Sequence, residues 1–166
     1  MERSKPLGIP KRFFSVVVEF SCLQKTLFIL TKFYIFAHQY YDMEEIQRPA
    51  TPKTPFVHFQ PTGKLELKGR SIPENSLEFY KPLIDWLDSI DQAGVADTSV
   101  HIQLEYFNTS SSKCLLDFFK KLETLKSKVT VNWYYEQDDE DMLEAGEDYE
   151  AIINLPFKKI EVGSLN

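Results

Sequence analysis

The chain has 166 residues, 43% of them hydrophobic and 27% charged, and a formal net charge of −6. That length holds one ordinary domain plus an appendage, and the composition is globular rather than disordered. An acidic pI near 5.1 argues against nucleic-acid binding as the main business, and two cysteines, Cys22 and Cys114, are too few for a disulfide framework and imply a reducing, cytoplasmic setting.

Charge is unevenly spread. Residues 1–42 carry six Lys/Arg against three Asp/Glu, whereas residues 43–166 carry thirteen against twenty-two. This break reads residues 1–42 as an extension outside the folded domain, with Met43 the expected true start. The extension's apolar runs, Phe13–Val18 and Thr26–Thr31, are interrupted by Glu19, Lys25 and Lys32. They are too short for a membrane span, which needs about 18–20 residues, or for a secretory core. A peripheral membrane contact is the alternative, but no amphipathic period supports it.

From Ala50 to Pro55 the chain is proline-punctuated and extended. Phe56–Phe59 and Lys64–Lys68 then flank Gln60–Gly63, a hairpin signal in which Gly63 supplies the positive φ of the turn. Ser71 and Glu74 have the spacing of a capping box, with Pro73 in the first turn of a helix. That helix carries Leu77, Tyr80, Leu83, Ile84, Leu87 and Ile90 as its apolar stripe and stops at Gly94.

A strand over Thr98–Phe107 places Val100, Ile102, Leu104 and Tyr106 on one face. It runs into Asn108-Thr109-Ser110-Ser111-Ser112, where a second helix begins, with Leu115, Phe118, Phe119, Leu122 and Leu125 as its stripe. Val129, Val131, Trp133 and Tyr135 mark a further strand. A third helix spans Asp139–Ile153, and Phe157–Val162 is a short last strand. The order β-β-α-β-α-β-α with an extra β predicts an α/β fold. Its mixed sheet has four to five strands, and about three helices pack mainly on one face.

The hydroxyl cluster Thr109–Ser112 is the most informative feature. It lies where a strand feeds a helix N-terminus, a place that favours negative charge. One residue there serves as the cap, and the run exceeds what capping needs. The others offer a phosphoacceptor or, through Ser110 and Lys113 in S-x-x-K spacing, the nucleophile of a small hydrolase or transferase. That second reading lacks the companion elements such a dyad requires. The acidic run Glu136–Asp141 does not match a calcium loop and reads as an acid-rich helix start. His38, His58 and His101 form no metal-ligand pair, so no cofactor or metal is expected. Trp86 and Trp133 read as core.

GRSIPEN (69–75), DWL (85–87), LEYFNTSSSK (104–113), WYYEQDDEDM (133–142) and AGEDYE (145–150) occur together in this order. In that combination the chain resembles the SiaC family of bacterial regulatory phosphoproteins, from about Thr51 to Ile160. The resemblance implies a STAS-like fold, similar to anti-sigma factor antagonists. It implies a non-catalytic protein whose threonine in N-T-S-S, here Thr109, is phosphorylated by a partner kinase and dephosphorylated by a PP2C-type phosphatase. It also implies that the unphosphorylated form binds and activates a diguanylate cyclase, affecting cyclic-di-GMP synthesis and biofilm. Asn108, Ser110 and Ser111 are then expected on the partner surface, with Arg70 close enough to hold the phosphate.

Overall fold

The structure, a computed structural model, describes Leu27, residues 29–31 and residues 43–163. The chain divides into two units, residues 1–38 and 39–166. The reading of residues 1–42 as an extension falls almost wholly outside the described residues. Leu27 and residues 29–31 are helical.

The second unit is a six-stranded mixed sheet with three helices. The order along the chain is β1 (Ile46–Arg48), β2 (Phe56–Phe59), β3 (Lys64–Ser71), α1 (Ser76–Ala93), β4 (Asp97–Phe107), α2 (Thr109–Glu123), β5 (Lys128–Glu136), α3 (Glu140–Ile152) and β6 (Phe157–Val162). The strands lie side by side in that same order. β1–β2 and β2–β3 pair antiparallel, and β3–β4, β4–β5 and β5–β6 pair parallel. Each parallel step crosses over through one helix and always advances in the same direction. With right-handed crossovers, all three helices must then fall on one face. The expected four to five strands become six because Ile46–Arg48 adds an edge strand. At three residues it is too short to show a period.

The covered face is apolar. Leu65, Leu67, Val100, Ile102, Leu104, Val131 and Trp133 point under the helices and are at most 1% exposed. From above, α1 contributes Tyr80, Leu83, Leu87 and Ile90, and α2 contributes Leu115, Phe118, Phe119 and Leu122. Each fully buried Leu or Phe is worth roughly 1.5–3 kcal/mol relative to exposure. Leu77, expected in the α1 stripe, is instead 71% exposed, and Trp86 takes the inward place on that helix. Gly94 ends α1 in the left-handed region at φ 67°, and Gly63 closes the β2–β3 hairpin at φ 89°.

The opposite face is open and polar. The His58 imidazole meets the carboxylates of Glu45 and Glu66, and Glu66 pairs with Lys64 at 3.0 Å. On β4 the His101 ring lies 2.9 Å from Ser99 Oγ and 3.0 Å from the Tyr134 hydroxyl, stacked on the Tyr134 ring. Partial burial holds the His101 imidazole below the usual histidine range.

Two local departures shape the carboxyl end of the sheet. The α1 cap is Asn75, whose side chain accepts from Glu78 N–H at 3.1 Å, not Ser71. Ser71 is the last residue of β3 and is fully buried. The capping box is therefore absent, because β3 runs on through Arg70 and Ser71 instead of yielding to a helix, and Pro73 lies in the connector. The second departure is a bulge. Gly69 is in register with Leu104 but Arg70 with Tyr106, so Glu105 is the extra residue. One extra residue inverts the alternation. Tyr106 turns out to solvent, 50% exposed, and Phe107 turns inward against Trp133 and Tyr149. The expected inward Tyr106 is corrected for that reason.

Candidate functional site

The site is the corner where β4 delivers the chain to α2. Asn108 is the cap. Its backbone is extended (φ −87°, ψ 169°), and its side-chain oxygen accepts from Ser111 N–H at 2.8 Å. Asn108 N–H in turn donates to Ser71 O at 3.2 Å, tying the corner to the end of β3. Thr109 and Ser110 follow as the first two helical residues, and both are exposed.

The next two hydroxyls are engaged. Ser111 is fully buried, and its Oγ lies 3.0 Å from Ser71 Oγ and 3.4 Å from Ser76 Oγ. Ser71 Oγ also lies 2.7 Å from the Tyr80 hydroxyl. Four hydroxyls from β3, α1 and α2 thus satisfy one another inside the corner, and burial pushes the Tyr80 phenol well above its ordinary range. The Ser112 hydroxyl lies 2.9 Å from the Tyr149 hydroxyl, which also donates to Ser112 O at 3.1 Å. Burial raises the Tyr149 phenol to about 12. Ser111, expected on the partner surface, is fully buried, which leaves Asn108, Thr109 and Ser110 as the accessible residues of the run's start.

The helix dipole at this corner is unanswered. Unpaired N–H groups give a helix start the equivalent of about half a positive charge. Glu78 offsets this in α1, and Glu140 and Asp141 do so in α3, whose cap Asp139 adds a third acid. The first turn of α2 contains no acid. The acidic run thus places its carboxylates at the cap and first turn of α3, as an acid-rich helix start does. Among the described residues, no group of three His, Cys, Asp or Glu side chains is placed to hold a metal ion.

Arg70 and Tyr106 stand beside the corner on the open face, with the guanidinium over the ring at 5.7 Å from its centroid. Arg70 therefore reaches the same end of the sheet as Thr109. Among the described residues, no hydrogen bond or ion pair joins it to residues 108–111. Ser110 and Lys113 are both exposed on the outer surface of α2. The serine hydroxyl network and the bulge were missed from sequence. The adjacent aromatics Tyr106-Phe107, which break strict alternation, are the signal that marks the bulge.

Comparison with known proteins gives a consistent result. The model of the SiaC family of regulatory phosphoproteins matches residues 48–162. An uncharacterised protein of Pseudomonas aeruginosa strain UCBPP-PA14 is 30% identical over 119 residues, covering 69% of this chain and 94% of that protein. The crystal structure of apo-SiaC from P. aeruginosa superposes with a TM-score of 0.65 at 30% identity, covering 71% of this chain and 99% of that one. SiaC in its complex with the diguanylate cyclase SiaD, of which it is the activator, gives a TM-score of 0.67 at 29% identity, covering 70% and 99%. No helix among the described residues is long and apolar enough to cross a membrane. The family match spans β2 to β6 with the whole β4–α2 corner inside it, and the chain belongs to the SiaC family of regulatory phosphoproteins.

Proposed function

We propose that this protein is a non-catalytic, cytoplasmic phosphoswitch whose acceptor is Thr109. The observation that carries the reading is the first turn of α2. It offers exposed hydroxyls at a helix start without acids, while the starts of α1 and α3 are already occupied by carboxylates. A phosphate adds about −1.5 to −2 charges and strong acceptor oxygens. At α2 the dipole favours that charge by roughly 0.3–1 kcal/mol, so the domain stays folded. A partner docked over the unmodified hydroxyl would have to desolvate the phosphate, which costs far more unless a cation pairs with it.

Modification therefore acts on binding and leaves the fold alone. The partner surface comprises Asn108, Thr109, Ser110 and the Arg70–Tyr106 pair. A protein kinase adds the phosphate and a PP2C-type phosphatase removes it. By analogy with SiaC and SiaD, the effector is a diguanylate cyclase activated by the unmodified form. The same reading puts residues 1–42 outside the regulatory domain. A protein starting at Met43 keeps the full chain's melting temperature, and a large drop would place the extension in the core. Met43 itself is buried and the Trp86 indole donates to Glu44 O at 2.6 Å, so shortening beyond it is destabilising.

Phosphosite mapping after co-expression with the cognate kinase tests the assignment. The expected result is phosphate on Thr109, none on Ser111 or Ser112, and loss of effector binding and cyclase activation. Thr109→Ala should resist the kinase and still bind. Phosphate on Ser110 with Thr109 unmodified would refute the residue assignment, and absence of phosphate would refute the switch.

A further inference from the structure

The strands β3 to β6 start side by side at the end of the sheet opposite the switch corner. Lys64 is in register with Ser99, Ser99 with Thr130, Asp97 with Lys128, and Asn132 with Lys158. These side chains line a cleft of about 350 Å³. It holds three lysines, 64, 128 and 158, against one carboxylate, Asp97. Residues 43–166 carry thirteen Lys/Arg against twenty-two Asp/Glu, so the cleft inverts the sign of its own domain. Lys64 is paired with Glu66, whereas Lys128 and Lys158 have no ion-pair partner among the described residues.

The chemistry of the lining selects the ligand class. Ammonium groups act as point charges that suit phosphate oxygens, while carboxylates are better gripped by the planar fork of arginine, which the cleft lacks. The Thr130 hydroxyl adds a neutral hydrogen-bonding group between the lysines, and Ser99 Oγ is held in place by His101 and Asn132. Lys64 and Lys158 sit on strands three spacings apart, about 14 Å at the backbone. A single phosphate answers one or two such lysines, and linked phosphates answer all three. Like-charged ammonium groups in a polar cleft also focus potential toward an incoming anion. The geometry points to a binding site for an oligophosphate group, free or as the tail of a nucleotide, separate from the Thr109 switch.

Calorimetric titration of the full chain at low salt with sodium tripolyphosphate, orthophosphate and ATP tests this site. Tripolyphosphate should bind saturably, one per chain, at least tenfold tighter than orthophosphate. The double variant Lys128→Gln/Lys158→Gln should weaken it at least tenfold. Lys120→Gln/Lys126→Gln, with the same charge change on exposed positions outside the cleft, should stay within twofold, as should Thr109→Ala. ATP binding tighter than tripolyphosphate identifies a nucleotide tail, and equal binding identifies the phosphate chain alone; both uphold the site. Absence of saturable tripolyphosphate binding overturns it. So does an equal loss in the control variant, which would reduce the effect to net charge.

Discussion

Helices α2 and α3 begin alike and differ in what surrounds the beginning. Each follows a parallel strand, and each is capped by a short polar side chain accepting from the N–H three residues on, Asn108 from Ser111 and Asp139 from Met142. Electrostatically they are opposites. α3 starts with three carboxylates, and α2 with an amide and hydroxyls. Both corners are equally well closed, so capping does not explain the difference. What differs is the room left for an added charge. The α3 start already carries three carboxylates, and the first turn of α2 carries none, which is the contrast the proposed switch rests on.

The strongest way to break this pairing is through Tyr149, which reaches from α3 to Ser112 in the first turn of α2. Its phenol holds its proton to about pH 12 when folded and releases it near 10 when unfolded. The folded state thus binds more protons between those values. The stabilisation is complete below pH 10 and is lost as pH rises toward 12. A two-unit shift corresponds to about 2–3 kcal/mol, and Tyr80 acts in the same direction. Urea melts between pH 9 and 12 should show this fall, and Tyr149→Phe should flatten it. Burial of the phenol sets this slope, so an unchanged slope in the variant would show that Tyr149 is not desolvated at the seam between α3 and α2.

Packing under the α3 corner gives the next effect. A Cβ on Gly146 would lie 2.7 Å from Cδ1 of the buried Trp133. Gly146→Ala should therefore cost about 1–3 kcal/mol by overpacking, despite alanine's better helix propensity. Equilibrium unfolding measures it, and a stabilised variant would mean that Trp133 moves freely.

Removing the caps comes third. Asn108→Ala and Asp139→Ala should each cost about 1 kcal/mol. The Asp139 loss should shrink in high salt, because part of it is charge on the dipole. The Asn108 loss should not shrink, and equal salt dependence would erase the distinction between the corners.

The smallest effect tests the distinction most directly. Ser110→Glu should stabilise the domain by roughly 0.3–1 kcal/mol, while Glu140→Gln should destabilise it by a similar amount. A neutral or destabilising Ser110→Glu would mean that the α2 start is already satisfied.

Much of this was legible in the sequence. Alternation in β4 as far as Leu104 and the stripe of α2 are local signals that the fold obeys, whereas β5 buries Asn132 and α3 leaves Ile152 59% exposed; the hydroxyl run marked the corner. The failures were tertiary. Ser71 resembles a cap by spacing, yet its hydroxyl is claimed by Tyr80 and Ser111, forty residues away in the second case. Tyr106 follows the inward period, yet a bulge set by the pairing with Gly69 and Arg70 turns it out. Leu77 fits the stripe but overhangs the helix start. For Ser71 and Tyr106 a partner distant in sequence decided the outcome.

The strictly sequential strand order has a kinetic consequence. No strand must wait for a partner more than one helix away, so every ladder can close as soon as the next strand has been synthesised. The expected order is the β1–β3 meander first and then one strand per crossover, from the N-terminal edge of the sheet as the chain leaves the ribosome. Force-profile measurements on nascent chains should resolve this as steps when β4, β5 and β6 successively clear the exit tunnel, whereas a single late step would indicate that the sheet forms only when complete.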